Sequence, residues 1–277
     1  MGPAPRLVIN TSEQLLLDVR PDATFLAGHD PQAAHIALEE LSARAHELPP
    51  KTVALRITDT DPERSRSAAD LLRKRGHAVV VVPWEQAGRK VPGPSRVRLW
   101  RPNLFLVEAL EAIRMSDRHR PALMRRAMDL ACGSGRDAVF LALQGYDVLG
   151  VDHLPDALHR AQDLATRSGV HIETRVINLE KGGVVPAGPF DLVTVFRYLH
   201  RPLFPAIRDS VARGGHVVYE TFHEQNLQTG HTPKSPAHLL KTGELAEAFA
   251  GFQVLISRDA LLREGRFFSQ IVARRVS

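Results

Sequence analysis

The chain has 277 residues, 44% of them hydrophobic and 24% charged, which suits one large or two modest domains with real cores. No apolar run approaches the ~18 residues of a membrane span, the first residues lack the charged-then-apolar order of a signal peptide, and one cysteine excludes an intrachain disulfide and a cysteine-based zinc site. The net charge of +5 comes from scattered basic residues, without the aromatic-interleaved stripe of a nucleic-acid face. A cytoplasmic protein without a membrane partner is expected.

RLVIN (6–10) reads as a strand, and LLLDVRP (Leu15–Pro21) as a buried strand stopped by proline. FLAGHDPQAAHIALEELSARAHEL (25–48) carries Ile36, Leu38, Leu41, Ala45 and Leu48 at helical spacing and predicts a helix ending before Pro49-Pro50. TVALRIT, ERSRSAADLLRKRGH and AVVVVPW then read as strand, helix and strand, so residues 1–90 are expected to form a small parallel α/β unit. LLDVRP, Ala27-Gly28-His29 and the Glu63–Val82 segment resemble a rhodanese-like domain. That resemblance implies a sulfur-carrying cysteine just after TVALRIT, where Asp59 stands instead. A carboxylate cannot carry a persulfide. The expectation is a rhodanese-like fold without sulfurtransferase activity, acting as a stabilising or dimerising appendage, with an anion site at the Ser65 loop as the alternative.

Residues 91–102 have a linker composition, and 103–277 form the second predicted domain, opening on the apolar stripe of LFLVEALEAI. AMDLACGSGRDAVFLALQGYDVLGVD (Ala127–Asp152) then reads as strand, glycine turn, helix and strand, with an acid at the second strand's tip. Glycines let backbone approach a ligand, the helix start offers unpaired N–H groups, and Asp152 can accept from two ribose hydroxyls. Gly133-Ser134-Gly135-Arg136-Asp137-Ala138 also satisfies a dinucleotide fingerprint. Asp129 and Asp137 would repel a pyrophosphate, and Asn178-Leu179-Glu180 stands where an adenine reader belongs, so S-adenosylmethionine is favoured over NAD.

From about residue 96 onward the chain resembles class I S-adenosylmethionine-dependent methyltransferases, most of all the tellurite-resistance-type small-molecule branch. DLACGSGRDAVFLALQGYDVLGVD carries the resemblance, together with FRYLHRPLFPAIRDSVARGGHVVYETF (196–222). It implies a doubly wound, Rossmann-like α/β sheet of seven strands with an antiparallel last strand, and a leading helix whose Phe105 and Leu106, with Trp100, cover the cofactor. Asp129, Ala131, Gly133, Gly135, Asp152, His153, Asn178, Leu179 and Phe196 are then the expected cofactor contacts. Cys132 reads as a small packing residue rather than a nucleophile.

Beyond the fourth and fifth strands, His200, Tyr198 and Arg197 are the catalytic candidates, and Arg197, Glu220, His223 and His231 the acceptor-binding ones. The 13 histidines show no metal spacing, so no metal is assigned. The expected function is methyl transfer to a small molecule: a thiol, a chalcogen oxyanion, or a small amine or acid. Alternatives are an RNA methyltransferase and a non-catalytic cofactor-binding sensor or scaffold. A homodimer is left open.

Overall fold

Gln14–Asp18 forms strand β1 because Leu15, Leu16 and Leu17 are buried between neighbours on both sides. The computed structural model describes residues 14–86, 90–117, 125–262 and 265–276, in units lying within Leu7–Arg101 and Pro102–Ser277. The predicted strand at 6–10 lies outside the described residues. In the first unit β1 is followed by helix α1 (Asp22–Ala27), β2 (Ala33–His35), β3 (Ala54–Thr58), α2 (Pro62–Lys74) and β4 (Val79–Val81). The sheet is parallel, in the order β2-β1-β3-β4.

The long helix expected over 25–48 does not form. α1 ends at Gly28, and Pro31, with no N–H to donate, bars continuation. Ala33-Ala34-His35 then pairs with Leu16-Leu17-Asp18, and Leu38–Glu40 and Ala45–Glu47 are single 3₁₀ turns. Burial of Ile36, Leu41 and Leu48 in the core with Leu17, Leu55 and Leu72 explains the apolar spacing without a helix. The 91–102 segment is partly packed, since Leu99 joins that core and the Ser95 hydroxyl donates to Ala33 O at 2.6 Å.

After β3 the loop closes on itself. Asp59 is 4% exposed and accepts from the Asp61 N–H at 2.9 Å and from Arg64 Nε at 3.0 Å, while Arg64 also holds Glu39. The Arg64 hydrogen bond, first among the causes, pulls the Glu39 carboxyl down to about 2. An internal carboxylate therefore occupies the amide-lined turn where an external anion would sit.

The second unit opens on α3 (Leu104–Ser116), whose Phe105, Leu106, Ala109, Leu110 and Ile113 are buried at helical spacing. β5 (Arg125–Leu130), α4 (Arg136–Leu143), β6 (Tyr146–Asp152), α5 (Pro155–Arg167) and β7 (Glu173–Val176) follow as two consecutive βαβ units with parallel strands. β8 (Phe190–Phe196), α6 (Phe204–Ser210), β9 (Val211–Phe222), α7 (Asn226–Thr229), α8 (Glu244–Ala248), β10 (Phe252–Leu261) and β11 (Phe267–Arg275) complete it. The seven-stranded sheet runs β10-β11-β9-β8-β5-β6-β7, with β11 antiparallel to both neighbours. β8 is almost continuously apolar, as a strand covered on both faces must be. Arg213-Gly214-Gly215 lies within β9, where pairing with β8 shifts register between Phe190 and Leu192. Strand order reverses between β5 and β8, and that reversal opens a crevice beyond their carboxyl ends. Among the described residues no helix is long and apolar enough to cross a membrane.

Candidate functional site

Where β5 ends, the backbone turns left-handed at Ala131 (φ 56°), Gly133 (φ 54°) and Gly135 (φ 75°). A side chain at Gly133 would meet nothing within 4 Å, so that backbone lies open, whereas a Cβ at Gly135 would fall 2.5 Å from Ala161 Cβ. The second glycine is thus required for α4 to approach α5. Gly135→Ala should cost about 2–4 kcal/mol from overpacking and left-handed strain, read as a lowered melting temperature.

Asp152, 7% exposed at the β6 tip, accepts from the Gly133 N–H at 2.8 Å and the Leu154 N–H at 3.0 Å. Its carboxylate therefore fixes the glycine turn, with exposed His153 beside it, Nδ1 at 3.4 Å. Asp129 is 2% exposed and accepts the Thr194 hydroxyl at 2.8 Å, while its Oδ2 is buried outside hydrogen-bond reach of any partner. Burial, then repulsion from Asp137, pushes its carboxyl well above the usual range, against the Thr194 bond and the nearby Ala138 amide. Asp137 is pushed up to about 6, chiefly by burial, with Glu220 adding to it and the Asn103 N–H, Arg136 and Arg197 opposing. The Cys132 thiol is also pushed up, by burial first and then by Asp129 and Asp152, which makes it inert at neutral pH.

This pocket of carboxylates beside an open glycine turn suits a ligand that is cationic at one end. S-adenosylmethionine, with its ammonium and sulfonium, meets that requirement; a pyrophosphate does not. Asn178 fits less well than expected as an adenine acceptor, because its Oδ1 already accepts from the Glu180 and Lys181 N–H groups, each at 3.1 Å. Leu179 is buried in the core, and Phe196 is half-buried at the β8 tip.

Beyond β8, among the expected acceptor residues, Arg197 has φ 55°, donates its N–H to Glu220 O at 2.8 Å and lays its guanidinium 5.5 Å from the centre of the Phe268 ring. Non-glycine residues rarely adopt that conformation, and two of them flank this crevice. Tyr198 packs against the core of the unit. Its hydroxyl is buried without a hydrogen-bond partner, and burial, with Glu180 and Asp152 adding, pushes it up to about 12. Such a phenol stays protonated, so it can donate a hydrogen bond but cannot serve as a base. His200 is half-buried just before the 3₁₀ turn Arg201–Leu203.

Glu220, 1% exposed, accepts from Asn103 Nδ2 at 2.6 Å and Gln270 Nε2 at 2.5 Å. His223 departs from its expected ligand-binding role: it is 1% exposed, its Nδ1 accepts from the Gln225 N–H, and its Nε2 faces the Thr242 hydroxyl at 3.2 Å. Both ring nitrogens are thereby spent on bracing the loop after β9. His231 has its Nε2 beside Gly265 in the β10–β11 turn. Arg201 clamps the following segment through Glu244, Ala237 O and Leu239 O. Thr194, Asn103 and Gln270 were not singled out from sequence. Asn103 could have been found as an Asn N-cap before an apolar helical stripe, since its Oδ1 accepts from the Phe105 N–H at 2.8 Å. Among the described residues no group of three or more His, Cys, Asp or Glu could hold a metal ion.

Comparison with known proteins agrees with this geometry. Residues 127–215 match a family described as a methyltransferase domain. An uncharacterized protein of Schizosaccharomyces pombe is 23% identical over 94% of this chain and 93% of its own length. A ubiquinone biosynthesis O-methyltransferase of Chromobacterium violaceum is 32% identical over 39% of this chain, which spans only 48% of that relative. The probable S-adenosyl-L-methionine-dependent methyltransferase TehB of Haemophilus influenzae is 29% identical over 30% of this chain and 29% of its own length. The crystal structure of TehB superposes with a TM-score of 0.50 at 17% identity, over 61% of this chain and 62% of that one, a likeness of fold. With its mixed seven-stranded sheet, its glycine turn and its matched family segment, the second unit of this chain carries an S-adenosylmethionine-dependent methyltransferase domain.

Proposed function

We propose that the chain methylates a small acceptor carrying an anionic or strongly polar group, and that Arg197 orients it. The observation that carries this reading is the left-handed Arg197 at the β8 tip, beside the Glu220 strand and over Phe268. A residue held in a sparsely populated conformation at a ligand crevice marks a side chain kept for its function. The likeness to a relative named for ubiquinone biosynthesis, a small-molecule pathway, supports the class of acceptor. The sulfonium of the bound cofactor supplies a good leaving group and an electrophilic methyl. The residues' work is then alignment and exclusion of water. Asp129, Ala131, Gly133, Gly135, Asp152, His153, Leu179 and Phe196 would line the cofactor side, with Asn178 contributing its amide rather than its oxygen. His200 is the remaining candidate base, required only for an acceptor protonated at neutral pH.

Arg197→Gly tests the proposal without the usual ambiguity, because glycine relieves the left-handed strain while removing the guanidinium. Screening thiols, chalcogen oxyanions and small acids should identify an acceptor. Toward it the variant should show a KM raised about 10–100-fold, the worth of a charge-assisted hydrogen bond, with the melting temperature unchanged or higher. An unchanged KM for every anionic acceptor sinks the assignment.

For the first unit, the reading is a rhodanese-like module that transfers no sulfur. Its support is Asp59 at the cysteine's place, with Arg64 and the Asp61 N–H engaged by that carboxylate. Thiosulfate-to-cyanide transfer by the whole chain should stay at background, and measurable turnover would end this part of the proposal.

A further inference from the structure

Asn103 caps its own helix and makes two further hydrogen bonds to parts of the sequence far from it. Its Oδ1 caps α3 at the Phe105 N–H (2.8 Å), its own N–H donates to Asp137 Oδ1 at 2.6 Å, and its Nδ2 donates to Glu220 Oε1 at 2.6 Å. The other oxygen of Glu220 accepts from Gln270, whose Oε1 in turn accepts from Arg258 Nε at 2.7 Å. Arg258 grips Glu108 of α3 with both terminal nitrogens. One residue thus bridges a carboxylate in the first turn of α4 and another near the end of β9, and the relay behind it returns to the same helix.

We infer that Asn103 is a positioning residue that holds the Asp137 and Glu220 carboxylates side by side as one anionic seat at the cofactor crevice. The acidic cluster does not stand alone here, because Asp129, buried and within reach of the Asp137 charge, keeps an Oδ2 outside geometric hydrogen-bond reach of any partner. Two carboxylates brought together in a poorly hydrated site repel, and one takes up a proton unless donors stand between them. Asn103 supplies a donor to each. The charged groups facing Asp137 are Asp129 from β5, Glu220 from β9, Arg136 on its own helix and Arg197 after β8. None of the acids supplies a donor when ionised, so that task falls on Asn103 and, at Glu220, on Gln270, while the two arginines add positive charge. Toward the cofactor, the seat keeps negative charge beside the cationic methionine end; this last step rests on the cofactor assignment, the positioning itself does not.

Substitution separates this role from capping. Serine and aspartate cap a helix about as well as asparagine. Asn103→Ser keeps the cap oxygen and the backbone N–H but loses the donor to Glu220. Asn103→Asp keeps shape and cap while setting a third carboxylate against the other two. Carboxyl ¹³C NMR titration of the whole chain, which needs neither cofactor nor acceptor, reads the outcome. In Asn103→Asp the Asp137 midpoint should rise by about one pH unit or more. In Asn103→Ser the Glu220 midpoint should rise and that of Asp137 move less. Gln270→Met, which removes the donor from the other side of Glu220, guards against a misfolded Asn103 variant: it should shift Glu220 and leave Asp137 in place. S-adenosylhomocysteine affinity in Asn103→Asp should weaken on the acidic side at correspondingly higher pH. Superimposable carboxyl titrations in native and variant proteins overturn the positioning role. Shifted titrations with unaltered affinity would keep the seat and remove its link to the cofactor.

Discussion

Asp152→Ala is expected to weaken S-adenosylhomocysteine binding about 100-fold or more in a calorimetric titration at neutral pH. The carboxylate at the β6 tip is proposed to meet the ribose hydroxyls, and charge-assisted hydrogen bonds contribute about 1.5–3 kcal/mol each. It also accepts from the Gly133 and Leu154 N–H groups, so truncation frees the glycine turn as well as the ligand. Asp152→Asn divides the two effects, because an amide oxygen can still accept one of those N–H bonds. Its affinity should fall between native and alanine. NAD should bind neither variant nor the native chain, and micromolar NAD binding would overturn the choice of cofactor made on Asp129 and Asp137.

Asp129→Asn should move stability and affinity in opposite directions. The folded carboxyl titrates well above its unfolded value, chiefly through burial and the Asp137 charge. A raised acid favours the folded state fully below its unfolded value and loses that contribution as pH climbs through the folded one. The native protein should therefore weaken as pH rises above about 4, with Asp137 adding its share up to about 6. The amide carries no charge to bury, so the variant should melt higher at pH 8, by on the order of 2 kcal/mol, with the gain vanishing near pH 4. Loss of the carboxylate proposed to face the cofactor's ammonium should cost about tenfold in affinity at pH 8, a cost that shrinks as the native carboxyl takes up its proton at lower pH. Chemical denaturation at pH 4 and 8 checks the first half, calorimetry the second. A variant less stable than native at pH 8 contradicts the buried-charge account. In the first unit Glu39 works the other way, its pull toward Arg64 being lost as pH falls from about 4.5 toward 2; because Glu39 is 62% exposed, solvent screening leaves this contribution small.

The sheet and its glycine turn were legible because their signals are local. An apolar run, Gly133 and Gly135, a helical stripe and a terminal acid lie within Ala127–Asp152, and β8 announces itself by near-continuous apolarity. The segment 25–48 was misread because its periodic apolar residues answer to a partner strand, β1, that no window around them contains. His223 looked like a ligand group in a string of polar residues at a strand tip, yet its two nitrogens are taken by Gln225 and Thr242. Asn178 looked like an adenine acceptor, but an Asx-type turn claims its oxygen. The bond from Asn103 to Glu220 crosses 117 positions, so only the folded sheet brings the two into register.

The reversed strand has a consequence for the order in which the crevice comes into being. β5, β6 and β7 are contiguous in sequence, so the half proposed to meet the cofactor is built from short-range connections and can organise early. Phe268 and Gln270, which flank Arg197 and Glu220, sit on β11 between β9 and β10 and are the last of these residues to leave the ribosome. During synthesis the glycine turn can therefore form while the half proposed to hold the acceptor still lacks its inserted strand. Loss or slippage of that strand alone should leave a protein that retains cofactor yet has nowhere to seat what it methylates.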